Sequence, residues 1–252
     1  MGDPAEATFM KPAVGTLRIY DDLAALSRAV ADFLCETATR KSGPVRIALS
    51  GGSTPKPMYE LLAQDPVRGR MPWNRVQWIL GDERFVPPSS PDSNFGMART
   101  AFLDHVPVPE HNVHPVPTEG VDLDEAAAQY EATLKALYGS DTLHIDRPLL
   151  DVTLLGLGPD GHTASLLPGQ PVLNDYKRWV APVPHGRPQP RVSLTYPALD
   201  SSRVVAFLVA GEEKCQILDR ILSGDTSVPA GRIRPLGDVI WFVDKAAAGR
   251  WS

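Results

Sequence analysis

Apolar residues along this chain fall into two alternating kinds of stretch. One kind is a short, largely apolar run: Val45–Leu49, Val76–Leu80, Leu149–Leu155, Val204–Ala210 and Val239–Val243. Such runs predict strands buried on both faces. In the other kind, apolar side chains recur at helical spacing. Leu23, Leu26, Val30, Phe33 and Leu34 do so behind Asp21 or Asp22 as a cap. Met58, Leu61 and Leu62 mark a second helix, with Thr54 expected at its N-cap and Pro55 at its first position. Asn94–His105, anchored by Phe95, Phe102 and Leu103, Asp122–Tyr138 and Glu212–Leu222 are three more.

Strands alternating with helices predict an α/β fold: a mainly parallel, twisted sheet covered by helices on both faces. No internal repeat or low-complexity linker interrupts the pattern, and the prolines fall between its elements. A single domain over residues 1–252, with its core at about 17–243, is expected. In such sheets ligands bind beyond the carboxyl ends of the strands. The polar segments after strands are therefore where chemistry is sought: Ser50–Thr54, Gly81–Arg84, Gly156–Ser165 and Gly211–Lys214.

Charge and composition narrow the classes of function. The net charge of −5 argues against a nucleic-acid binder, which needs a basic face. It leaves room for a small phosphorylated ligand, which needs only a few local cations. No apolar stretch approaches the length of a membrane span, and Met1–Thr16 lacks the charged head and apolar run of a secretory leader. Cys35 and Cys215 read as reduced thiols of a cytoplasmic protein. His105, His111 and His114 lie among prolines, with no carboxylate or cysteine set to complete a metal site.

Each post-strand segment has a chemical and a plainer reading. In Ser50-Gly51-Gly52-Ser53-Thr54-Pro55, two glycines allow a tight turn and close approach of the backbone to a ligand. With a helix start behind it, the segment suits a phosphate; it equally suits a simple strand–helix turn. It lacks the lysine of a P-loop. Gly156-Leu157-Gly158-Pro159-Asp160-Gly161 matches G-x-G-x-x-G formally, but Pro159 removes a donor and Asp160 would repel a pyrophosphate. His162 follows. An imidazole can take a proton from water and return it, and Asp160 stands two residues away to orient the ring; a surface loop is the alternative. Asp82 and Arg84 offer a carboxylate for sugar hydroxyls or proton transfer and a planar clamp for an anion, or else a solvated charged turn. Lys214 could reach an anion at the sheet edge.

Taken together, Ser50–Pro55, Gly81–Arg84 with Ser93-Asn94-Phe95, Gly158–Leu166 with Pro168, Arg191–Thr195 and Gly211–Lys214 resemble the 6-phosphogluconolactonases. The resemblance runs from about Leu17 to Val243. It implies a Rossmann-like sheet shared with the glucosamine-6-phosphate isomerases (deaminases). It implies hydrolysis of 6-phospho-D-glucono-1,5-lactone in the oxidative branch of the pentose phosphate pathway, without metal or organic cofactor, by a monomer or small homo-oligomer. Under it, His162, Asp160, Asp82 and Arg84 are catalytic candidates, and Gly51, Gly52, Ser53, Arg191 and Lys214 candidates for the substrate phosphate. A deaminase is the rival: Asp82 matches its proton-abstracting carboxylate, but Leu167 stands where a deaminase carries an acid. A sugar-phosphate sensor on the same fold is a third reading, which His162 disfavours.

Overall fold

A computed structural model describes residues 12–252. The expectation for Met1–Thr16 therefore lies mostly outside the described residues. In chain order the elements are β1 (Thr16–Tyr20), α1 (Leu23–Arg40), β2 (Val45–Leu49), α2 (Lys56–Leu62), α3 (Val67–Arg70), β3 (Val76–Leu80), β4 (Asp82–Arg84), α4 (Asn94–Ala101), β5 (Val113–His114), α5 (Leu123–Tyr138), β6 (Leu150–Gly156), β7 (Val180–Val183), β8 (Arg191–Leu194), α6 (Tyr196–Asp200), β9 (Ser202–Val209), α7 (Cys215–Leu222), β10 (Asp238–Asp244) and α8 (Lys245–Ala248).

Seven strands form one sheet in the order β1-β10-β9-β6-β2-β3-β5. Every neighbouring pair is parallel. Successive residues of a strand face opposite sides of a sheet. From Leu150 to Leu155 in β6 every residue is buried, so both sides of the sheet are covered. The five expected strands form the middle of this sheet. The edges, β1 and the two-residue β5, carry too little apolar sequence to announce themselves.

The strand order places the ligand crevice. From β2 the sheet grows outward through β3 to β5, then the chain returns to set β6 on the other side of β2. The order reverses between β2 and β6, and a crevice opens at the carboxyl ends of strands at such a point. Ser50–Ser53 leaves β2 there and Leu157–His162 leaves β6.

Three expectations are corrected. Asp82–Arg84 is not a free turn but the edge of a second, antiparallel sheet, β4-β8-β7, in which Asp82 pairs with Ser193 and Arg84 with Arg191. Three charged residues show no hydrophobic period, so only the pairing reveals them as a strand. Thr54 does not cap α2: that helix starts at Lys56 after Pro55, with no side-chain cap. Asn94–His105 breaks at Phe102, which leaves helical geometry to bury its ring, and resumes as a short 3-10 turn. Of the two candidates, Asp22 caps α1, and Asp122 caps α5, each accepting a backbone N–H three residues on.

Candidate active site

At the switch point lies an open cleft of about 230 Å³. Gly51, Gly52, Ser53, Asp82, Arg84, His162, Arg191 and Lys214 all line it. Asp160 stands just behind, touching the ring of His162. Larger grooves exist, notably one of about 790 Å³ along α5, but its wall is largely alanine and surface charge, without convergent polar groups.

The turn after β2 is pinned by Tyr59 from α2. Its hydroxyl accepts the Ser50 N–H (3.0 Å) and donates to the Ser50 carbonyl (2.8 Å). Gly51 is required sterically, because a Cβ there would lie 1.9 Å from Asn94 Oδ1. Asn94 is buried, donates to the Asp82 carbonyl (2.9 Å) and accepts from Arg84 Nη1 (2.8 Å). The backbone N–H groups of Gly51, Gly52 and Ser53 find no acceptor among the described residues. They are available to an anion in the cleft.

The imidazole is held from its far side. His162 Nδ1 lies 2.5 Å from Asp160 Oδ1. A carboxylate partner requires the proton on Nδ1, which in the neutral ring leaves the lone pair on Nε2. Arg187, from the β7–β8 loop, donates to Asp160 Oδ2 (2.7 Å). Partial burial pushes the Asp160 carboxyl up, but the bonds from Arg187 and His162 outweigh it and hold the group well below the usual carboxylate range. Gly158 makes room for the ring: a Cβ there would lie 2.0 Å from His162 Nδ1. That is the physical use of this glycine, in place of a dinucleotide turn.

The remaining wall comes from the small sheet. Asp82 is buried and accepts from Ser165 Oγ (2.6 Å). Arg191 Nη1 stands 3.8 Å from Asp82 Oδ2, while its Nε is buried with no partner among the described residues. Burial pulls the Arg191 guanidinium below its ordinary value, with Asp82 opposing. Ala164 takes a left-handed backbone (φ 47°), a strained geometry for a residue with a Cβ. It is held by Ser165, whose N–H donates to Ser193 Oγ (3.1 Å), and by Thr163, whose hydroxyl donates to the Gly156 carbonyl (2.9 Å). Among the described residues no cluster of three His, Cys, Asp or Glu side chains is placed to hold a metal ion.

Residues 21–241 match the model of the family described as glucosamine-6-phosphate isomerases/6-phosphogluconolactonase. The chain belongs to this family. A 6-phosphogluconolactonase of Nostoc sp. is 39% identical over 243 residues, 94% of this chain and 98% of the relative. The crystal structure of 6-phosphogluconolactonase from Thermotoga maritima superposes with a TM-score of 0.78 at 32% identity, covering 91% of this chain and 99% of that one. A monomeric glucosamine-6-phosphate deaminase superposes with a TM-score of 0.79 at 19% identity, covering 93% and 99%, a likeness of fold alone.

Of the residues around this cleft, Arg187 was not singled out from the sequence, and Asn94 and Glu83 were named only as members of longer segments. Asn94 lies outside the post-strand segments and reaches the cleft from the start of α4. Glu83 turns away from the cleft. Its buried carboxylate accepts the N–H groups of Arg84 (2.8 Å), Asn94 (2.7 Å) and Phe95 (2.7 Å) and the Ser93 hydroxyl (3.0 Å), clamping α4 to β4. Burial pushes that carboxyl up, against these four donors. Arg187 sits in a proline-flanked loop with no periodic signal; only the fold brings it to Asp160.

Proposed function

We propose that this chain hydrolyses 6-phospho-D-glucono-1,5-lactone to 6-phospho-D-gluconate, the oxidative pentose phosphate step, by direct attack of water. One observation carries the reading: an imidazole with a carboxylate on Nδ1 shares a single cleft with a glycine turn of unpaired N–H groups, Arg191 and Lys214. The turn and the two cations hold the substrate phosphate, Arg191 and Lys214 both lining the cleft. Fixing the phosphate sets the lactone carbonyl against His162, which removes part of the entropic barrier.

His162 Nε2 takes a proton from water as its oxygen bonds to the carbonyl carbon. The carbonyl oxygen becomes an oxyanion, and Arg84 and backbone N–H groups near Gly161 are its candidate donors. The imidazolium, stabilised by Asp160, then gives its proton to the ring oxygen as the ester bond breaks. Proton transfer of this kind contributes roughly 100- to 10,000-fold in rate. Asp82 is assigned to a sugar hydroxyl, since Ser165 and Arg191 already engage it.

Named relatives such as the Nostoc lactonase support this chemistry over deamination, as does Leu167, which is buried and offers the ring no second carboxylate. The chain takes a small sugar-phosphate lactone, as a monomer or small homo-oligomer, and its net charge of −5 disfavours a nucleic-acid partner. No helix among the described residues is long and apolar enough to cross a membrane. Both cysteines are free, which fits a cytoplasmic enzyme. Acid release from freshly made lactone, measured beside ammonia release from glucosamine 6-phosphate, tests the reading. Rapid acid release without ammonia is expected; ammonia release with lactone turnover no faster than background would overturn it.

A further inference from the structure

We infer that Arg187 is a positioning residue for the proton-transfer histidine, acting through Asp160 and not through the substrate. The inference rests on the role given to His162 above. Asp160 divides its oxygens. Oδ1 receives the His162 ring at Nδ1 (2.5 Å) and the His162 backbone N–H (3.2 Å); Oδ2 receives Arg187 Nη2 (2.7 Å). The Asp160 side chain is 37% exposed, so the imidazole alone would leave its carboxylate free to turn toward water. A guanidinium on the second oxygen removes that freedom, and a charge-assisted bond is the kind strong enough to do so.

The loop that carries Arg187 is built to hold it still. Pro184, Pro188 and Pro190 restrict its backbone. Phe85 N–H donates to the Pro190 carbonyl (2.8 Å), Gln189 Nε2 to Asp92 Oδ2 (2.9 Å), and Arg187 Nη1 to the Gly186 carbonyl (2.8 Å). Arg187 meets the site from behind, its Nη2 on Asp160 Oδ2 (2.7 Å) and beside the Nδ1 side of the His162 ring (3.2 Å), away from Nε2.

A second contact fits the same role. Arg187 Nη2 lies 3.2 Å from His162 Nδ1. With Nδ1–H donating to Asp160 Oδ1, Nη2 and Nδ1 are two donors side by side, held together because each bonds its own oxygen of the one carboxylate. The pair therefore favours one arrangement: Asp160 as the anion, Nδ1 protonated, and Nε2 free for water. Without Arg187 the carboxylate turns and the ring samples its other tautomer, which has no base to offer.

The experiment compares R187A, R187K, D160N and D160N/R187A in steady-state kinetics, and the wild type with R187A by long-range ¹H–¹⁵N spectra of the histidine ring. R187A should lose about ten-fold or more in kcat with KM within about two-fold, the scale of a slightly misplaced reacting group. R187K should recover part of the loss. The double variant should be no slower than D160N within about two-fold, because the two residues act as one unit. The R187A spectrum should show the Nε2-protonated tautomer growing in. A kcat unchanged in R187A, a loss confined to KM, an additive loss on D160N, or an unaltered tautomer each overturns the inference. If wild type fails to turn over the lactone, the functional reading fails, and the spectrum still decides the role of Arg187.

Discussion

Replacing Gly158 by alanine separates placement of the imidazole from its presence. The new Cβ would lie 2.0 Å from His162 Nδ1, 2.2 Å from Cε1 and 2.8 Å from Asp160 Oδ1, where ordinary contact begins near 3.4 Å. The ring must retreat by about 1.4 Å, the difference between the first and last of these distances. The only soft motion available is rotation of the side chain, and that breaks the bond to Asp160. Gly158 is not in the left-handed region, so alanine adds no backbone strain. Its N–H still donates to the His162 carbonyl (2.9 Å). The fold should therefore survive, with a melting temperature within a few degrees of wild type, while the base is displaced. A displacement of about 1 Å costs on the order of 100-fold in rate. The assay is kcat for lactone hydrolysis at saturating substrate, followed through acid release and corrected for the spontaneous reaction, with thermal unfolding run in parallel. A G158A protein that melts normally and keeps wild-type kcat would refute the argument that this glycine exists to seat the ring.

Two further outcomes follow from other parts of the molecule. Arg191→Ala should raise KM at least about ten-fold with a smaller effect on kcat, because phosphate binding is common to ground and transition states; titration with 6-phosphogluconate should show the same weakening. Asp200→Asn should stabilise the protein at pH 7.5 but not at pH 4. Burial pushes the Asp200 carboxyl up to about 6 despite the N–H of Arg234 donating to it (2.8 Å). The folded form thus binds this proton more tightly than the unfolded chain, and stability from the group is lost as pH rises from about 4 through 6. Asparagine can keep the Arg234 bond. It should return about 1–2 kcal/mol at neutral pH after allowance for partial exposure, seen as a rise of a few degrees in melting temperature.

How much of this was legible in the chain depends on what kind of signal each residue gives. Buried strands such as β2, β3 and β6 are read from their apolar runs, and the turns after them locate the cleft because parallel sheets bind ligands at carboxyl ends. That reasoning reached Gly51, His162 and Lys214. It reached Arg191 only through family resemblance, since β8 has no distinctive pattern. It missed Arg187, which arrives from a loop distant in sequence, and met Asn94, at a helix start, only within the Ser93-Asn94-Phe95 segment of the resemblance. Glu83 was read with its neighbours as a charged turn. Nothing local distinguishes a carboxylate facing water from one that caps the next helix, and only the antiparallel pairing of β4 with β8 turns it inward. Within the formal G-x-G-x-x-G the structure shows a steric use for one glycine: Gly158 gives space to an imidazole.

The central claim is that His162 moves the proton in lactone hydrolysis. Its most direct test is the turnover of His162→Ala on 6-phospho-D-glucono-1,5-lactone, with binding of 6-phosphogluconate measured in the same preparation. The account predicts a folded protein that binds the product as wild type does and has lost at least about 100-fold in kcat. Turnover near the wild-type rate would contradict it.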